Sequence, residues 1–435
     1  MDSLDDTPRP GWLGPWLKGF PALQPPLPLA DVASRGWTLH GNELPLPLAV
    51  VRRQALAHNI AWMQDFATRH GVQLAPHGKT TMSPQLFQRQ LDAGAWGLTF
   101  ANVHQLSTGL AAGARRALIA NQLVNAAELA ELLALRRRYP GVELAFFVDS
   151  QAQLDQLAGH WASLGAGEAR VDVLIELGTS RCGLREHGPA LALARALKAH
   201  PALRLRGIGF YEGLQVSGET GPDRALMQQW QSRIEALLAD IEAEGLIGAD
   251  AHSVWLSGGG SALFDLVAPV LAGAPGRAPR LGLLRSGCYV CHDHEHYGRY
   301  MQRMDERMGT PLSAPSLQPA LEVWTQVLST PEPGLALLNA GRRDVSFDQG
   351  WPPPVWHLPR GAQRRGVAPS GWRVTGLNDQ HAYLRWDPAA TSGPAVGDRV
   401  ALGPSHPCTT FDKWAWMAVV DEDDRVVDAI TTRFE

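Results

Sequence analysis

Cysteine is scarce: Cys182, Cys288, Cys291 and Cys408 are the four in a chain of 435 residues. So few in so long a chain exclude a disulfide framework. They leave a metal site, a reactive thiol or inert buried thiols as the open uses. Excess charge is nearly absent too. With 39 basic and 43 acidic residues the net charge is -4, which favours neither nucleic acid nor an acidic membrane surface as a partner. No stretch approaches the ~18 apolar residues of a membrane span. The opening Met1-Asp2-Ser3-Leu4-Asp5-Asp6 is acidic where an export leader would be basic and then apolar, so a cytoplasmic location is expected. Low-complexity segments are missing, as are repeats of roughly 20–50 residues beyond a β/α alternation.

The length suffices for two domains, each with its own core. Residues 1–45, rich in proline and tryptophan and without periodicity, are expected to form an irregular arm packed on the C-terminal domain. From 46 to 310 the chain alternates. Short apolar, β-branched runs near 72–75, 96–101, 116–120, 143–148, 171–177, 204–210, 252–256 and 280–285 are separated by helical patterns such as 126–138 and 151–164. Continuous apolar strands suit a parallel sheet covered on both faces. An open doubly wound sheet would alternate in the same way. Eight strands over this length, with polar groups gathered at their ends, favour an α/β fold of the (β/α)₈ barrel type. From 311 to 435 the pattern turns to strands and turns with little helix, a smaller β-rich domain, with 351–370 read as a loop.

Chemistry in a barrel collects at the C-terminal strand ends. Pro76-His77-Gly78-Lys79-Thr80 follows the first strand and fixes a lysine on a short turn. Ser257-Gly258-Gly259-Gly260-Ser261 follows the seventh, where successive amides and a helix start can close on a phosphate. Gly287, Cys288 and Tyr289 follow the eighth. A lysine amine together with a phosphate cradle is what pyridoxal phosphate (PLP) requires. Tyr211, ending the sixth strand, is either a core aromatic or a pocket residue. Cys288-Tyr289-Val290-Cys291-His292 fits the C-x-x-C-H pattern of haem attachment, read here as coincidence without an export signal. A zinc or redox site drawing on His294 and His296 is the competing use of those residues. In Ser405-His406-Pro407-Cys408, an extended H-x-C would put imidazole and thiolate on one side of a strand, a natural pair of metal ligands.

The lysine turn resembles the Schiff-base motif of the D-serine dehydratase / D-threonine aldolase family, PLP enzymes of the alanine-racemase-like fold. Thr330-Pro331-Glu332-Pro333-Gly334 and the stretch Asn339–Ser346 resemble that family's C-terminal domain. The resemblance runs from about residue 45 to the C-terminus. It implies that Lys79 carries PLP and later acts as the base at the substrate α-carbon, and that His77 and Asn102 also face the cofactor. It further implies that Arg181 faces the pyridine nitrogen and that Gly287-Cys288-Tyr289 lies at the phosphate. His406 and Cys408 match the zinc site of the dehydratase branch, whereas the aldolase branch carries H-x-D. The expected protein is a homodimeric, PLP- and Zn²⁺-dependent lyase that converts D-serine, a small-molecule D-amino acid, to pyruvate and ammonia. A D-threonine-type aldolase and a non-catalytic PLP carrier are the alternatives. A racemase would need a second base opposite Lys79, and none stands out.

Overall fold

Eight parallel strands, Gln73–Leu74, Leu98–Phe100, Arg116–Gln122, Glu143–Val148, Val171–Leu177, Leu203–Phe210, Val254–Gly258 and Arg280–Leu284, form one sheet in the computed structural model. The structure describes residues 11–164, 170–200, 202–247, 253–273, 279–311, 314 and 316–434. Residues 1–10 of the expected arm and position 252 of the expected seventh strand lie outside them. From the second strand to the eighth, each pairs with its successor, and the eighth pairs with the first. A single parallel bridge, His77 to Thr99, joins first to second and nearly closes the ring. The fold is therefore the barrel and not the open sheet.

The strands are buried on both faces because both have partners. One face meets the helices, whose apolar stripes follow the 3.6-residue period: in Arg53–Arg69, Leu56, Ile60, Met63 and Ala67 all point inward. Asn125 and Ser150 cap the helices Ala126–Arg138 and Gln151–Ser163 by accepting from backbone N–H groups. The other face fills the barrel with Leu118, Ala145, Phe147, Leu174, Trp255 and Leu283. Phe147 and Trp255 are 1% exposed, and burial of such side chains stabilises by about 1.5–3 kcal/mol each. The barrel is plugged below, so a ligand can sit only above its C-terminal rim. No helix among the described residues is long and apolar enough to cross a membrane.

The second domain is built on an antiparallel sheet of Gly366–Val367, Pro354–Leu358, Arg399–Leu402, Leu321–Glu332, Leu335–Leu338, Ala382–Arg385 and Arg373–Leu377, in that spatial order. Two features differ from the sequence reading. Leu48–Arg52, assigned above to the barrel domain, lies in this sheet, antiparallel to Leu321–Glu332 and parallel to Trp416–Val420. Arg52 anchors it through a buried ion pair, Nη2 to Glu322 Oε2 at 2.7 Å, and a second contact to Asp424. The stretch 351–370, read as a loop, contains Pro354–Leu358, an outer strand only half-buried along most of its length and hence without a clear two-residue period. The arm covers the far side of the sheet, where Trp416 Nε1 donates to the Lys18 carbonyl at 2.9 Å and Phe20 meets Trp37 and Trp416 edge to face.

Candidate active site

Above the barrel rim and under the β domain lies a cavity of about 610 Å³. Lys79 reaches into it from the 3₁₀ turn Gly78–Thr80, which holds its two neighbours buried. His77, Arg181, Tyr211, Gly259, Gly287, Cys288, His406 and Cys408 line the same space. The Arg181 guanidinium lies 4.8 Å from the Tyr211 ring centroid, on the cavity wall.

Five candidates lie off the cavity wall. Asn102 caps the helix Val103–Ala111, accepting from Gln105 N at 2.9 Å. The Tyr289 hydroxyl turns outward to accept from Gln90 Nε2 at 2.9 Å. Ser257 stands one layer behind, accepting from Arg285 at 2.7 Å. A side chain at Gly258 would meet Val267 and Phe210 and not a ligand. Gly260 is turned to Glu212: its amide donates to that carboxylate at 2.6 Å, and the Gly259 amide does so at 3.2 Å. Both amides are thus already engaged. The glycine run is shaped by a buried carboxylate, which corrects the reading of Gly259 and Gly260 as phosphate donors. A Cβ on Gly259 would lie 2.5 Å from the Tyr211 ring, so a substitution there disturbs the protein before any ligand.

Sequence reasoning missed the charges beneath the cavity. Arg285, buried at the end of the eighth strand, donates to Ser257 and to the Phe210 carbonyl and lies over the Phe147 ring. Burial pulls its pKa down to about 10 despite Glu212 and Glu176 nearby. Burial raises the Glu176 carboxyl, while Gln122 hydrogen-bonds to it and opposes the rise. His77 is held well below its ordinary pKa by burial and by Lys79, Arg285 and Arg181, and its Nδ1 is buried without a partner. Three cations around a neutral imidazole make the floor suited to a dianionic phosphate and a carboxylate. The one available signal was an arginine closing an apolar strand, Leu283-Leu284-Arg285.

PLP fits what remains. Among the described residues, the amides of Ser261, Ala262, Gly287 and Cys288 donate to no protein acceptor, and all four residues line the cavity. Gly287 packs directly on the lysine turn: a Cβ there would lie 2.6 Å from Thr80 Oγ1 and 2.7 Å from the His77 carbonyl oxygen. Gly287→Ala should therefore displace Lys79 and weaken PLP binding at least tenfold, at an overpacking cost of about 1–3 kcal/mol. Spectroscopic titration of the apoprotein and thermal denaturation check both numbers. Unaltered PLP affinity in that variant would remove Gly287 from the cradle.

A second corner of the cavity holds sulfur and imidazole. His406 and Cys408 do not lie on an extended strand as expected: Pro407 is helical (φ -58°, ψ -45°) and Cys408 opens a helical turn to Phe411. They still meet. His406 Nδ1 donates to Asp348 Oδ2 at 2.6 Å, and the Cys408 sulfur lies near enough to favour the charged imidazole. Burial works against the imidazolium, but Cys408 and Asp348 outweigh it and push its pKa up to about 9. Cys408 is held well below the usual thiol range, first by a hydrogen bond with Cys288 and then by His406. An imidazole with a carboxylate on one nitrogen and its other free for a metal is the arrangement that metal-binding histidines adopt. The C-x-x-C-H residues do not converge. Cys288 faces the cavity, while Cys291 and His292 are buried away from it. Among the described residues, Asp149, Glu176 and Cys182 alone bring three such donor atoms within 4.8 Å of one another. Glu176 and Asp149 are already bonded to Gln122 and the Gly183 amide.

Comparison with known proteins agrees with this geometry. Residues 51–266 match the family "Alanine racemase, N-terminal domain", and residues 320–420 match "Putative serine dehydratase domain". D-threonine aldolase of Arthrobacter sp. is 30% identical over 411 residues, 94% of this chain and 95% of that one. D-threo-3-hydroxyaspartate dehydratase of Delftia sp. (strain HT23) is 29% identical over 378 residues, 84% and 92% of the two chains. The crystal structure of D-threonine aldolase from Filomicrobium marinum superposes with a TM-score of 0.74 at 24% identity, covering 91% of this chain and 97% of that one. The dehydratase has also been solved as a histidine-to-alanine variant and, two positions on, as a cysteine-to-alanine variant in a metal-free form. With its lysine turn in the mouth of an alanine-racemase-like barrel and a serine dehydratase domain roofing it, the chain belongs to the PLP-dependent D-serine dehydratase / D-threonine aldolase family.

Proposed function

We propose that this protein is a PLP- and zinc-dependent dehydratase of small β-hydroxy D-amino acids, converting D-serine to pyruvate and ammonia. The observation that carries the reading is the meeting of Lys79 with the His406–Cys408 pair in one cavity, with Asp348 bonded to the far side of the imidazole. Lys79 would hold the cofactor, and its free amine is placed to take the proton from the α-carbon. Bound PLP supplies the electron sink that makes this proton removable. Arg181 and Arg285 bring positive charge to the cavity and favour the phosphate and the substrate carboxylate. His406 and Cys408 would hold zinc, which would supply Lewis acidity at the departing β-oxygen. The Cys408 thiolate favours zinc over harder ions, and the metal-free cysteine variant of the Delftia dehydratase supports a metal at such a cysteine. A homodimer in the cytoplasm belongs to the same reading.

The 30% identity to a D-threonine aldolase favours a second reading, cleavage of the Cα–Cβ bond. A panel of serine, threonine and 3-hydroxyaspartate in both hands decides between them. The dehydratase reading expects keto acid and ammonia in equal amounts from the D-serine assay. Glycine and aldehyde from D-threonine, with no ammonia from any substrate, would shift the assignment to the aldolase. PLP-loaded protein without turnover on the whole panel would mark a carrier.

A further inference from the structure

A second sulfur faces Cys408 across the cavity corner. Cys288 Sγ and Cys408 Sγ lie 3.5 Å apart, both reduced. They come from different domains. Cys288 opens the 3₁₀ turn Cys288–Val290 after the eighth barrel strand, and Cys408 opens the helical turn of the β domain. Two sulfurs bound to one tetrahedral zinc at ~2.3 Å are about 3.8 Å apart. The observed spacing needs only a few tenths of an ångström to match. Thr80 Oγ1 sits beside both, 3.4 Å from Cys408 Sγ and 4.0 Å from Cys288 Sγ.

We infer that Cys288 is a third protein ligand of the metal, giving a centre of His406, Cys408 and Cys288. This rests on the reading of His406 and Cys408 as ligands and extends it. Two protein ligands hold a zinc weakly. Three with one position left open is the usual make-up of a catalytic zinc site, and the cavity supplies the open side. Two thiolates also neutralise the ion's charge and select zinc against magnesium and manganese, which prefer oxygen. The three donors do not all lie within 4.8 Å of one another. Cys288 already lies against Cys408, so His406 is the donor that must move to complete the set. The imidazole stands half-buried on a loop with Asp348, itself exposed, so binding needs only this pair to swing inward.

Zinc K-edge X-ray absorption on the PLP-loaded protein, prepared under a thiol-free reductant, tests the inference without any substitution. Two sulfur neighbours per zinc are expected, falling to one in Cys288→Ala and Cys288→Thr. Competition with a chelator should show zinc held at least about 100-fold less tightly in both variants, since loss of mere outer partners already costs 10–100-fold. One sulfur in the unaltered protein, or unchanged zinc affinity in the variants, overturns the role of Cys288 and leaves His406 and Cys408 standing. Protein that takes up no zinc overturns the metal pair itself and this inference with it. Should neither variant fold, the sulfur count of the unaltered protein decides.

Discussion

Lys79→Ala should abolish the visible absorption of the cofactor-loaded protein and lower turnover by at least about 10⁴-fold, the upper range for loss of a positioned proton-transfer group. The expected loss is so large because, in the proposed mechanism, one amine serves twice, as covalent anchor and as base. The fold should survive. Lys79 is exposed into the cavity, whereas Gly78 and Thr80 on either side carry the packing of the turn. Truncation of such a side chain alters stability by no more than about 0.5 kcal/mol. Borohydride treatment of the unaltered protein should bleach the visible band and leave the label on a peptide containing Lys79. A label on any other lysine, or a variant that keeps its colour and turns over within tenfold of the parent, defeats the assignment.

Removal of the metal should be nearly as damaging to turnover and harmless to colour. Lewis-acid help at a departing oxygen amounts to several kcal/mol, and each 1.36 kcal/mol is a factor of ten in rate. A chelated sample should therefore lose about 10²–10⁴-fold in ammonia release from D-serine, while the visible band of the Lys79-bound cofactor stays in place. Zinc should restore the rate better than magnesium. Cys408→Ala should behave as the chelated protein does, and Cys408→Asp should shift the restoring ion from zinc toward manganese, since a carboxylate suits the harder cation. A chelated, metal-free protein that still makes pyruvate at the full rate would falsify the zinc-assisted mechanism.

All eight barrel strands were legible because each is a short apolar run followed by a turn that carries polar groups, and that pattern survives without tertiary information. Sheet membership was not. Leu48–Arg52 is buried along its whole length, and nothing in so uniform a run says which sheet claims it. The clue, Arg52, acquires meaning only with Glu322 and Asp424, which lie some 270 and 372 positions away. The site divides in the same way. Lys79, His406 and Cys408 carry signals within a few neighbouring residues. Arg285, Glu212 and Asp348 do not, because each acts through a group that other strands or loops bring to it. The glycine run misled for a related reason. Its amides read as free until Glu212 is placed beneath them.

The strand Leu48–Arg52 has a consequence for synthesis. It is threaded between Leu321–Glu332 and Trp416–Val420, so the roof domain is made from both ends of the chain with the entire barrel inserted between them. Ribosomes add about 5–20 residues per second. On the order of 10–50 s therefore separates the emergence of this strand from that of its first partner. For that interval five apolar-rich residues, an unpaired edge on both sides, must be kept from pairing with other chains. The barrel can close early and alone, but the roof over its mouth cannot form until Trp416–Val420 has been made. A nascent chain thus has its lysine turn in place well before it has a metal corner. Cofactor capture can precede formation of the roof, while any chemistry that needs the metal corner must wait for it.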